Sequence, residues 1–316
     1  MMVEGMRKVI TTGRPLSLSG LDGVPLLPPS TTPSLTHPPY TTAISTALLA
    51  HPPQTAWLIA TGALTNIAHL FRAHPTLKSH IAGLSIMGGA IGNGFSSAPL
   101  GRKKGEGERF GNWTPYAEFN IYCDPEAAEE ILEDEVLAGK TVLVPLDVTH
   151  QAIADAGVRR GLLHGERWSS GSSDVGERDG EVEGRSYSPV RALFHDVLTF
   201  FGETYDREFG LSAGPPLHDP LAVAAAVVPE LFDDRGGERY RVEVDTKGEH
   251  SEVPEEVLQL GRTRVELLER GEPGVRIPRT FDVDGFWWMI DCALGRAERA
   301  TPLRREDVRA WAPRSG

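Results

Sequence analysis

Apolar residues recur along this chain with two periods, and the alternation between them is the first structural signal. Thr55-Ala56-Trp57-Leu58-Ile59-Ala60-Thr61 is a short apolar run bounded by Pro53 and Gly62. From Leu64 to Arg72 the apolar positions Leu64, Ile67, Ala68 and Phe71 follow helical spacing, so the two segments predict a strand feeding a helix. Gly83-Leu84-Ser85-Ile86-Met87 predicts a second strand ending in Gly88-Gly89. A helix over 124–134 opens on Asp124-Pro125-Glu126, a capping carboxylate with Pro at the first helical position. Thr141-Val142-Leu143-Val144-Pro145-Leu146 predicts a third buried strand. Strands alternating with helices at this spacing predict an α/β fold with a mostly parallel sheet flanked by helices, its functional loops at the strands' C-terminal ends.

The rest of the chain changes period. Two well-buried helices are predicted, over roughly 189–206 and from Asp219 to Leu231, the second capped by Asp219 with Pro220 at its first position. The runs 240–245, 256–260 and 263–267 alternate with turns and predict a small antiparallel element near 240–280. A last helix over about 283–297 carries Phe286, Trp287, Trp288 and Ile290. Residues 1–40 read as an N-terminal segment, Pro-, Ser- and Thr-rich over 13–40 and extended there, 41–298 as the α/β domain, and 299–316 as a C-terminal tail. Residues 165–188, dense in Gly, Ser, Glu, Asp and Arg, read as a disordered insertion because they bury too little apolar surface to offset ordering entropy.

A length of 316 residues with 40% hydrophobic content suffices for a substantial core. The balance of 32 basic against 44 acidic residues, a net −12, repels polyanions and anionic membranes, and no basic stripe offsets it. Neither nucleic acid nor membrane is an expected partner. Cys123 and Cys292 stand far apart in a cysteine-poor chain, which suits a reducing compartment. No apolar stretch of signal-peptide length follows Met1, so a cytoplasmic protein is expected.

Candidate chemistry concentrates in two loops. Gly111-Asn112-Trp113-Thr114-Pro115-Tyr116-Ala117-Glu118-Phe119-Asn120 and Leu217-His218-Asp219-Pro220 place amide, carboxylate and imidazole groups beside apolar elements, where polar groups are costly unless they bind something. Plain structural readings stand beside the functional ones. His218 could hydrogen-bond only locally, Asp219 could be an N-cap, and Glu118 with Asn120 could cap a turn at a strand end. Asp147 and His150 read mainly as scaffolding, since Asp-x-Thr-His after a strand can satisfy loop amides.

Taken in order, Ile59-Ala60-Thr61-Gly62-Ala63-Leu64-Thr65-Asn66, Ile86-Met87-Gly88-Gly89, Asn112 through Asn120, Leu146-Asp147-Val148-Thr149-His150-Gln151 and Leu217-His218-Asp219-Pro220 resemble the inosine–uridine-preferring nucleoside hydrolases over roughly residues 55–298. That resemblance implies an open Rossmann-like nucleoside hydrolase fold, cleavage of the N-glycosidic bond of purine or pyrimidine ribonucleosides, and a place in purine nucleoside catabolism and nucleoside salvage. It implies Asn112, Glu118, Asn120 and Asp219 on the ribose, Met87 packing on the sugar, and His218 near the leaving base as a protonated general acid. It implies Ca²⁺ held by aspartates of an N-terminal D-x-D-x-x-x-D-D string, by the Thr61 carbonyl and by Asp219, with a string aspartate as base for the attacking water. It also implies a homo-oligomer, a dimer or tetramer.

Residues 1–24 contain only Glu4 and Asp22, so the aspartate string has no counterpart there. By the resemblance, the first strand–helix–strand unit is expected to be absent and the chain alone to be less stable than a full-length relative. Two function classes follow: a ribonucleoside hydrolase dependent on groups this stretch lacks, and a non-catalytic nucleoside- or sugar-binding module. Two other motifs are discounted. Gly210-Leu211-Ser212-Ala213-Gly214 fits G-x-S-x-G, but the segment before it reads as helix and Pro215-Pro216 forbids a helix after it. Gly88 through Gly94 has no following helix and no P-loop lysine, and reads as close-approach backbone over a sugar site.

Overall fold

A computed structural model describes residues 37–102, 109–165, 187–247 and 259–300. They fall into two compact units, one holding residues up to Ala152 together with Leu217–Phe281, the other Ile153–Pro216 together with residues from Asp282 onward.

The first unit is built on a parallel sheet of β1 (Trp57–Ala60), β2 (Gly83–Met87) and β3 (Thr141–Val144), in the order β1-β2-β3. Leu58 lies beside Leu84, and Met87 beside Val144. Every residue of the central β2 is buried, as expected of a parallel strand covered on both faces. Its alternation assigns the faces. Leu84 and Ile86 join Leu58, Ala60 and Leu143 in the main core, which gathers Ile67, Phe71, Ile121 and Ile131 from the helices of that side. Ser85 and Met87 turn the other way, toward the helix Asp219–Val227: Ser85 Oγ donates to the Ala222 carbonyl at 2.7 Å, and Met87 packs with Ile59, Leu146 and Ala222.

Local signals account for most boundaries. Asp124 caps the helix Pro125–Leu132 by accepting from Ala127 N at 3.2 Å, with Pro125 in the first turn. The antiparallel element is real: β5 (Tyr240–Val244) pairs with β6 (Thr263–Leu267), and β4 (Phe232–Asp233) with β7 (Thr280–Phe281). Expected strand 256–260 and insertion 165–188 fall almost wholly outside the described residues.

Two expectations need correction. The helix from Asp219 ends at Val227 rather than Leu231, because Pro229 has no N–H to continue it, and a 3₁₀ turn over Pro229–Leu231 takes its place. Asp219 is not its cap. The helix begins at Asp219 itself, with His218 at the N-cap and no side-chain cap bond, so the carboxylate lies one position too far in to reach the free amides.

The second unit is helical among its described residues: Ala156–His164, Pro189–Phe209 and Val283–Ala300. Ser188 caps the middle helix by accepting from Arg191 N at 3.2 Å, and Gly210 ends it at φ 65°. Only Arg191 and Leu198 of that helix are buried, fewer than expected. Arg191 joins all three helices, donating to the Leu162 carbonyl and pairing with Asp291 at 2.7 Å and Glu298 at 3.1 Å. Replacing it with methionine leaves two carboxylates without their cation. The expected cost is about 2–4 kcal/mol, at or just under the usual range for a broken buried pair because both acids keep some water. Lysine should not rescue, since one ammonium cannot span three separate acceptors; denaturant unfolding of the variants checks both statements. In the same unit the G-x-S-x-G string follows a helix, and a Cβ on Gly214 would come within 2.3 Å of the Ala154 carbonyl oxygen. No strand–serine–helix turn forms there.

Candidate functional site

The C-terminal ends of the three parallel strands gather the candidate residues of the first unit. Thr61 follows β1 and is exposed, Met87 ends β2, and Pro145 follows β3 into the short helix Leu146–Thr149. Over these ends lies the loop from Arg109 to Asn120.

That loop is held by its own side chains. Thr114 Oγ1 accepts from Ala117 N at 2.9 Å, Phe110 N and Gly111 N donate to the Pro115 carbonyl at 2.8 and 3.0 Å, and buried Arg109 donates to the carbonyls of Gly111 and Thr114, both at 3.1 Å. Asn112 Oδ1 accepts from Phe119 N at 2.9 Å. Glu118 then caps the helix Phe119–Cys123: Oε1 accepts from Asn120 N at 2.9 Å and Oε2 from Ile121 N at 3.1 Å. The same Oε2 takes Gly89 N at 3.0 Å, tying the loop to the end of β2. Asn120 Nδ2 completes the tie by donating to the Met87 carbonyl at 3.2 Å, with Met87 Sδ at 3.3 Å. Thus the turn-capping reading of Glu118 describes its main-chain bonds, while Oε1, which accepts only one of them, keeps a further lone pair.

Gly111 is fixed by space. A Cβ there would lie 2.4 Å from Ala117 N, Ala117 O and Thr114 O, all main-chain atoms with nowhere to go. Gly111→Ala is therefore expected to displace Asn112 and Glu118 and to weaken any ligand of this loop by tenfold or more, a loss readable by titration calorimetry.

The second loop meets the first through Met87. Ala222, on the helix that Asp219 opens, packs on Met87, and the charge of Asp219 is felt at Glu118. Burial pushes the Glu118 carboxyl up, three main-chain N–H groups pull it back down, and Asp219 adds a smaller upward push. Asp219 is exposed over much of its surface, yet partial desolvation raises its carboxyl too, and among the described residues that carboxylate accepts no hydrogen bond and pairs with no cation.

His218 sits beside Thr149 and His150. Its Nδ1 lies 2.7 Å from Thr149 Oγ1, and its ring centroid is 5.4 Å from that of His150. Burial, with the His150 imidazole beside it, pulls the His218 pKa down to about 3, so the resting ring is neutral at pH 7. His150 is buried and brought down to about 4, with Nδ1 donating to the Pro99 carbonyl at 2.7 Å. Asp147 acts as scaffolding: its carboxylate accepts from Ile91 N at 2.8 Å and Gly92 N at 2.9 Å, which holds the glycine loop.

The resemblance implied Ca²⁺, which takes about six to eight oxygens. Among the described residues no group of three His, Cys, Asp or Glu is placed to hold a metal. Thr61 and Asp219 offer one main-chain carbonyl and one carboxylate, and by themselves these do not fit the ion. Nor is any helix among the described residues long and apolar enough to cross a membrane.

Sequence reasoning missed Arg109 and Thr149. Arg109 closes a charged stretch that reads as surface, and Thr149 sits within Leu146 through Gln151 without a role of its own; nothing in their local patterns marks them.

The model of the inosine-uridine preferring nucleoside hydrolase family matches residues 4–288. A uridine nucleosidase of Saccharomyces cerevisiae is 30% identical over 90% of this chain and 74% of that protein. A pyrimidine-specific ribonucleoside hydrolase of Citrobacter koseri is 33% identical over 89% of the chain and 73% of its own length. Among solved structures, a purine-preferring ribonucleoside hydrolase from Gardnerella vaginalis aligns with TM-score 0.62 at 21% identity over 89% of this chain and 73% of that one. A plant nucleoside hydrolase aligns with TM-score 0.59 at 22% identity, over 86% and 72%. At those identities the structures speak for the fold, which is the nucleoside hydrolase fold, and the family match and curated relatives for descent. The chain belongs to the inosine-uridine preferring nucleoside hydrolase family.

Proposed function

We propose that this chain binds a ribonucleoside at the ends of β1–β3 and serves hydrolysis of its N-glycosidic bond, with a pyrimidine nucleoside, uridine, as the first substrate to test. The observation that carries this reading is the tie of Asn120 and Glu118 to the end of β2, with Asp219 near enough for its charge to act on Glu118. Asn112, Glu118, Asn120 and Asp219 bring amide and carboxylate groups suited to the vicinal hydroxyls of a ribose, and Met87 offers an apolar wall for the ring. The pyrimidine preference draws on the names of the uridine nucleosidase and the pyrimidine-specific hydrolase among its relatives.

In the reaction a water oxygen bonds to the anomeric carbon, the bond from that carbon to the base nitrogen breaks, and the base leaves with a proton. This chain's part is to orient the sugar and to meet the base with His218. Hydroxyl contacts that tighten as the sugar flattens favour the transition state over the ground state.

The test is calorimetric titration of the full chain with uridine and inosine, with and without Ca²⁺, alongside an assay for released base. Binding with turnover supports the hydrolase, and binding without turnover supports the nucleoside-binding module. Absence of both overturns the reading.

A further inference from the structure

The Thr149 hydroxyl faces a choice that chemistry settles. Thr149 is fully buried, and its Oγ1 lies 2.7 Å from His218 Nδ1. One turn back, the Pro145 carbonyl accepts from Val148 N and Thr149 N, and the Leu146 carbonyl from His150 N. Among the described residues the hydroxyl reaches no acceptor other than His218 Nδ1. Were Nδ1 to carry the ring hydrogen and donate to Oγ1, the hydroxyl hydrogen would be buried without an acceptor, a loss comparable to a missing hydrogen bond. Were the hydroxyl to donate instead, Nδ1 would accept, and the ring hydrogen would sit on Nε2 across the ring.

The neighbouring imidazole shows the opposite case. A carbonyl can only accept, so the 2.7 Å contact to Pro99 fixes the hydrogen of His150 on Nδ1. The two neighbouring rings thus carry their hydrogens on different nitrogens, each set by the partner of its Nδ1.

We propose that Thr149 is a positioning residue that holds His218 as the Nε2–H tautomer, so that His218 meets the base of the bound nucleoside as a hydrogen-bond donor, to a carbonyl oxygen or an unprotonated ring nitrogen. The use of that donor rests on the ribonucleoside reading above; the tautomer does not.

The experiment is ¹⁵N NMR of histidine-labelled full chain at pH 8, where an ordinary imidazole is unprotonated, with the His218 signals assigned by their loss in His218→Gln. The expected result is a hydrogen-bearing Nε2 and a bare Nδ1 in the wild type and in Thr149→Ser, with both nitrogens averaged in Thr149→Val. A hydrogen on Nδ1 in the wild type, or a Thr149→Val spectrum identical to it, overturns the proposal, and the wild-type spectrum decides even where the valine variant fails to fold. Uridine titration forms the second arm. Affinity should fall roughly fivefold in Thr149→Val and return in Thr149→Ser, the size of one neutral hydrogen bond. If uridine does not bind the wild type, the ribonucleoside reading fails while the tautomer assignment stands on its spectrum. If uridine binds all three alike, the tautomer plays no part in recognition.

Discussion

Glu118→Ala is expected to lower the unfolding free energy by about 3–5 kcal/mol, the largest loss from any single substitution in the loop. The Glu118 carboxylate takes three main-chain N–H groups, those of Gly89, Asn120 and Ile121, in a residue only 2% exposed. Each buried donor left without a partner costs about 1–3 kcal/mol, and water admitted by the truncation recovers part of the sum. At about 2–4 °C per kcal/mol, the midpoint of thermal unfolding should fall by roughly 6–20 °C. Glu118→Gln should land between, because its amide keeps one acceptor oxygen but turns a donor toward main-chain donors. Melts of both variants within about 0.5 kcal/mol of wild type would show that these bonds do not hold the loop. The same bonds suit the proposed ribose subsite, since a carboxylate anchored by the backbone does not have to be ordered again when a hydroxyl binds.

The second large effect is a loss of stability in acid traceable to the adjacent His150 and His218 rings. Burial brings His150 to about 4 and His218 to about 3, against an ordinary 6.5. Because the unfolded chain binds these protons first, the contribution of each ring is complete above pH 6.5 and is lost as the pH falls toward the folded value. The slope is about 1.4 kcal/mol per pH unit per ring. Glu118, Asp147 and Asp219, which burial pushes up, act with the opposite sign, so absolute stability mixes the two trends. Comparison with His150→Gln removes the carboxylates from the question, because they are common to both proteins, and glutamine can still donate to the Pro99 carbonyl. Between pH 6.5 and 4.5 the wild type should lose about 2–3 kcal/mol relative to His150→Gln, measured by urea unfolding at each pH. Parallel pH curves for the two proteins would contradict the burial argument.

Much of the scaffold could be read in advance because its signals are local. The strand over Gly83–Met87 and that over Thr263–Leu267 lie where apolar content and β-branched residues place them, and Asp124-Pro125 starts a helix for reasons contained in two residues. The two-residue strands Phe232–Asp233 and Thr280–Phe281 were invisible, since a single pair of residues carries no period. The helix Phe119–Cys123 was equally hidden, being shorter than the window a helical pattern needs. In the site, the residue types were legible and their partners were not. Glu118 to Gly89 spans 29 positions and Thr149 to His218 spans 69, and no periodicity reports such pairs. Asp219 illustrates how a good local rule misleads: its place before Pro220 suits a cap, yet one residue of helix register leaves the carboxylate uncommitted. The neutral His218 follows from burial against His150, a property of the fold alone.

Titration of the full chain and of Asn120→Ala with uridine, with unfolding midpoints recorded for both, tests the central claim most directly. The variant loses only the side-chain bonds of Asn120 to the Met87 carbonyl and sulfur on the protein side, so the midpoints should agree within a few degrees. Wild type should bind uridine and the variant should bind it at least tenfold more weakly; equal affinity in two equally stable proteins would contradict the account.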